Sequence, residues 1–196
     1  TAVAAALASR VIASGGKAIA LKPFGGEDEI GSDSDTAVFA SLLGGASETQ
    51  LGLAIPARGL TKKSMQDTAR SVRAAKADLA VVEGSSNLSA DNSASLADAL
   101  KAKVIVVVRH ARGMTVSDVT ARTEPFSKNL AGVVLNCRGA YAGTETDALA
   151  AAIENAGVPV LAVIPEDRRL LGATVRKLAE HLDGRFVNGE EAQKDA

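Results

Sequence analysis

The chain has 196 residues, of which 46% are hydrophobic; that is enough for one domain with a substantial core and too apolar for a disordered chain. A net charge of −1 argues against a nucleic-acid binder held by phosphate neutralisation. No apolar run reaches the roughly 18 residues of a membrane span, and the single cysteine, Cys137, excludes an internal disulfide and fits a reducing, cytoplasmic compartment.

The chain opens with an Ala-rich helix over 1–13, stopped by Gly15-Gly16. Residues 18–21 follow as a short apolar strand. A helix that feeds such a strand is the second half of a β-α-β unit. The first strand and its phosphate loop are therefore expected before Thr1, with Thr1 closing a G-x-x-x-x-G-K-[ST] motif. The run Ser14-Gly15-Gly16-Lys17 only mimics a phosphate loop, because it leaves a helix and enters a strand.

Residues 24–34 are polar and Gly-rich, and read as a loop before a helix at 35–43. A further helix is predicted over 61–76, with 51–56 apolar but without strand periodicity. From there short apolar runs alternate with helical patterns: strands at 79–82, 104–108, 131–135 and 160–164, helices at 93–101, 115–122, 144–156 and 172–182. Thr144 and Asp147 resemble a capping box, and Gly157 and Pro159 stop that helix. Arg185-Phe186-Val187 is a candidate edge strand. The runs lack polar alternation, as strands covered on both faces do. With aromatics at only 3%, small aliphatic side chains must fill the core. These features predict a single α/β domain over 1–196: three layers, α/β/α, around a mainly parallel sheet.

Ligands of such sheets bind beyond the carboxyl ends of the strands. Lys22-Pro23, Glu83-Gly84, Arg109-His110, Asn136-Cys137 and Pro165-Glu166 all follow strands and deliver polar groups to that edge. Glu83 reads either as a solvated loop acid or as a magnesium ligand, since magnesium favours one or two carboxylates plus phosphate oxygens. Lys22 is either a snorkelling edge lysine or a cation for a carboxylate or phosphate. Asp33 and Asp35 form an acidic cluster at a helix start, where Asp35 can cap and either can hold metal. His110 reads as a loop residue and Cys137 as a buried small side chain.

Taken in order, Thr1, Lys22-Pro23, Asp33-Ser34-Asp35, Glu83-Gly84, Asn136 and Ile164-Pro165-Glu166-Asp167-Arg168 resemble the dethiobiotin synthetase-like P-loop proteins. The nearest flavour is the synthetase-like domain at the N-terminus of some phosphotransacetylases. The resemblance covers nearly the whole chain and rests on the order of short motifs. It implies ATP and Mg2+ as cofactors. Thr1, Glu83 and Asp33 or Asp35 would meet magnesium. Asn136 would read the adenine edge, with the loop from Pro165 closing over it. Lys22 would face a small-molecule substrate. The family pattern Glu-Gly-x-Gly-Gly reads Glu83-Gly84-Ser85-Ser86-Asn87 here, so the substrate side differs.

Two functions follow from the resemblance. One is an ATP-dependent ligase that activates a carboxylate or carbamate. The other is a non-catalytic nucleotide-sensing domain. An ATPase of the partitioning-protein type shares the class but brings basic surface features that this chain lacks. The resemblance also implies a homodimer. Met65, Ala69, Val72 and Ala75 or Lys76 make a thin stripe on helix 61–76, which can pack inward or against a second copy.

Overall fold

The computed structural model describes residues 1–25, 39, 55–56, 60–85, 88–136, 143–165 and 181. The elements are α1 (Ala2–Ala13), β1 (Ala18–Leu21), β2 (Phe24–Gly25), β3 (Ile55–Pro56), α2 (Lys62–Ala74), β4 (Leu79–Val82), α3 (Ala90–Leu100), β5 (Val104–Arg109), α4 (Val116–Thr123), β6 (Leu130–Asn136), α5 (Gly143–Asn155) and β7 (Val160–Ile164). A short 3-10 turn, Glu124–Phe126, continues α4. The predicted elements at 35–43, 172–182 and 185–187 lie outside the described residues, apart from the helical Phe39 and His181.

Among the described residues every strand pairing is parallel, as the uninterrupted apolar runs predicted. The fold is three-layered, α/β/α, with parallel sheets. Among the described residues the ladders fall into three groups rather than one sheet: β1–β4, β2–β3 and β5–β6–β7. The short β2–β3 pair was not legible, because two residues per strand carry no periodicity.

Local chemistry sets the helix ends. Thr61 and Ser64 form a capping box for α2, and Thr115 and Asp118 form one for α4. Ser89 accepts from the Asn92 amide, which starts α3 earlier than the predicted 93. The Thr144–Asp147 box is not formed: α5 begins at Gly143, so Thr144 lies inside its first turn. Gly15 and Gly157 take φ +82° and +84° and end α1 and α5 with paired 6→1 and 5→2 bonds. Glycine takes this left-handed backbone without the strain that a side chain brings.

Three apolar clusters hold the layers. Ala5 and Ala8, one turn apart, are buried against Ala20 and Phe39, so α1 lies close on β1 and β4. Val108, Val133 and Leu135 pack under Val119 of α4 and Leu149 and Ile153 of α5. Met65 of α2 and Leu96 of α3 form the third cluster. Met65 and Ala69 are buried, so this part of the α2 stripe packs inward. Among the described residues no helix is long and apolar enough to cross a membrane.

Thr68, wholly buried in α2, has a hydroxyl without a hydrogen-bond partner. An unpaired buried hydroxyl costs about 1–3 kcal/mol. Thr68→Val is therefore expected to raise the urea midpoint, by about 1 kcal/mol in stability. A lower midpoint would show that the hydroxyl is needed where it is.

Asp118 accepts from the Thr115 amide and hydroxyl, both at 2.8 Å. The backbone bond first, then the hydroxyl, hold its carboxyl below its ordinary value of 3.8. Asp98 is lowered likewise, by Asn129 and then Lys128, which ties α3 to the turn before β6. A depressed carboxylate contributes stability above its unfolded value, and this is lost as pH falls through the folded value. Asp118→Asn should flatten the acid limb of stability below about pH 4. Urea midpoints across that range check it, and parallel acid limbs for variant and wild type would contradict it.

Candidate nucleotide and metal site

Glu83 leaves β4 one residue after the ladder. Its amide donates to the Leu21 carbonyl at 2.8 Å, which fixes the backbone at the carboxyl edge beside β1. Thr1 is the N-cap position of α1, yet its side chain makes no capping bond. Its hydroxyl instead donates to Glu83 Oε1 at 2.9 Å, and its nitrogen donates to the same oxygen at 2.5 Å. Both side chains are largely buried, at 22% and 19% exposure. The second carboxylate oxygen, Oε2, is buried and has no hydrogen-bond partner among the described residues.

That orphan oxygen is the informative feature. A buried carboxylate oxygen without a donor is costly. A cation beside it removes the cost, and magnesium is content with one carboxylate when phosphate and water complete its shell. The residues present fit such an ion: Glu83 Oε2 and the Thr1 hydroxyl are hard oxygen donors at the head of a helix. Among the described residues no three His, Cys, Asp or Glu side chains converge, so no all-protein metal cage is formed there. Asp33 and Asp35 lie outside the described residues.

Lys22 follows Leu21 directly and is half-buried, leaving β1 where Glu83 leaves β4. Asn136 ends β6, exposed, with Arg109 of β5 and Ile164 of β7 in register on either side. The His110 amide donates to the Asn136 carbonyl at 2.8 Å, extending the ladder past Arg109. Pro165 follows Ile164 and is exposed. The structure thus joins Thr1 to Glu83 directly, and sets Asn136 at the end of β6 with Pro165 just past the end of the adjacent β7.

Sequence reasoning missed two things here. One is the direct Thr1–Glu83 bond, which no spacing of 82 residues announces. The other is the burial of Ser85, two residues beyond Glu83. A groove of about 520 Å³ lies elsewhere, lined by Ser117, Thr120, Glu124, Leu130 and Val158. It opens at the amino ends of β6 and β7, on the edge opposite to Asn136.

A family model described as AAA domain, AAA_26, matches residues 1–174. Among solved structures, the chain resembles the 54 kDa signal recognition particle protein of Aeropyrum pernix K1, crystallised with GDP. The TM-score is 0.54 at 14% identity, over 85% of this chain and 38% of that one. At that identity the likeness is one of fold, and this chain spans well under half of that protein's length. With the family model covering most of its residues, the chain belongs to the AAA_26 family of AAA domains, and its layered parallel architecture is that of a P-loop NTPase-type domain.

Proposed function

We propose that this domain binds a nucleoside triphosphate, ATP, with magnesium at the carboxyl edge of its sheet. The observation that carries the reading is the buried Glu83 carboxylate with one oxygen on the Thr1 hydroxyl and the other unpartnered. Glu83 and Thr1 would hold the magnesium ion, helped by Asp33 or Asp35. Asn136 would read the base edge, and Pro165 would cover its face. Lys22, leaving the neighbouring strand, would face a small-molecule substrate. The phosphate loop is proposed to lie immediately before Thr1.

Bound magnesium would supply charge neutralisation at the phosphates. The chain's own task is then to orient the triphosphate and bring a second anion to Lys22. That chemistry suits activation of a carboxylate or carbamate by a ligase of the dethiobiotin synthetase-like kind, in the cytoplasm. A second reading keeps the nucleotide and drops turnover, as in the domain at the head of phosphotransacetylases. It is favoured by the Ser85-Ser86-Asn87 run where the synthetase pattern has glycines. A homodimer belongs to the same proposal, and its support is the resemblance alone, since Met65 and Ala69 are committed to the core.

Thermal melting of the full-length protein tests the nucleotide reading. A ligand at a hundred times its Kd stabilises by about 2.7 kcal/mol. Saturating ATP with magnesium should raise the melting temperature, and ATP with a chelator should raise it far less. A larger rise with GTP would reassign the base. No rise with either nucleotide would refute the reading.

A further inference from the structure

We propose that Arg109 recognises the phosphate end of the nucleotide, a role that rests on the nucleotide site just described. β5 reads Val-Ile-Val-Val-Val-Arg: five apolar residues of a parallel strand, then a guanidinium at its carboxyl tip. A charge at the end of such a strand is exposed at the ligand edge of the sheet. Arg109 is exposed there, and among the described residues it forms no ion pair. Its backbone is held, because the strand continues through the His110–Asn136 bond.

The register supplies direction. Arg109, Asn136 and Ile164 are paired across three neighbouring strands, so their side chains leave the same face about 4.8 Å apart per strand. Asn136 stands in the middle. On one side lie Ile164 and Pro165, apolar and suited to the face of a base. On the other side lies the only charge of the three, Arg109. A nucleotide read by Asn136 therefore has an apolar flank for its base and a cationic flank for its phosphates. Guanidinium matches phosphate oxygens in a bidentate fork, which lysine cannot do.

Titration of the full-length protein with ATP, ADP and adenosine, each with magnesium, tests this. Charge-assisted bonds of this kind are worth about a ten- to hundredfold change in affinity. Arg109→Ala should weaken ATP by that factor, ADP by less or equally, and adenosine by less than twofold. Arg109→Lys should recover part of the loss. An unchanged melting temperature of each free variant shows that folding is intact. ATP affinity within about twofold of wild type for Arg109→Ala overturns the role while leaving the site standing. Equal losses for ATP and adenosine overturn it too, by moving Arg109 to the base or the sugar. Wild-type protein that binds none of these or GTP refutes the site, and this role with it.

Discussion

Glu83→Gln is expected to weaken magnesium-dependent nucleotide binding by about tenfold or more, without lowering the stability of the free protein. The substitution keeps the shape and keeps an oxygen to accept from the Thr1 hydroxyl, 2.9 Å away. It removes the hard anionic ligand that magnesium requires. In the free protein Oε1 accepts from the Thr1 nitrogen and hydroxyl, but Oε2 is buried with no partner among the described residues. A neutral amide costs less to bury than a charge, so stability should hold or rise by about 1 kcal/mol. A carboxylate kept for structure behaves oppositely: its loss lowers stability and leaves metal dependence alone. Paired denaturation and nucleotide titration separate the two outcomes, and a destabilised variant with unaltered binding would contradict the metal role.

The largest effect on stability is expected at Gly132. This residue sits inside β6, where a Cβ would meet the Pro159 carbonyl oxygen at 2.6 Å and Leu161 Cγ at 2.8 Å. A leucine can turn aside, but a backbone carbonyl in the approach to β7 cannot. The register shifts here as well, between Val133 and Val134, so the strands already use the space. Overpacking costs about 1–3 kcal/mol, occasionally more, when the neighbour can give. Gly132→Ala should therefore cost about 3 kcal/mol, and Gly132→Val should leave little folded protein, since domains hold only about 5–15 kcal/mol in total. Urea denaturation of the alanine variant checks this, and a loss under about 0.5 kcal/mol would show that the β6–β7 approach is softer than drawn.

Much of the fold was legible because its strands show as uninterrupted apolar runs. Val104–Arg109 and Leu130–Asn136 each extend their predicted ranges by a residue or two, and the polar tips Arg109 and Asn136 turn out to be strand residues held by the ladder. Caps were legible where the box was complete, as at Thr115 and Asp118. Thr144 was misread because a Thr-x-x-Asp pattern fits the first turn of a helix as well as its cap. That β1–β4 and β5–β6–β7 share no ladder among the described residues was not legible, because apolar runs name strands without naming their neighbours. The place of Glu83 just past a strand was legible, since the run 79–82 is the strand Leu79–Val82. The bond of Glu83 to Thr1 was not, because only the folded sheet brings the head of α1 to the end of β4.

We propose that Thr1 and Glu83 build a magnesium-dependent nucleotide site. Calorimetric titration of the full-length protein with ATP, in magnesium and then in chelator, tests it most directly. One site per chain is expected, with an affinity that falls by about tenfold or more when magnesium is removed and a magnesium dependence that disappears in Glu83→Gln. Binding of equal strength with and without magnesium, or no binding of ATP or GTP at all, would contradict it.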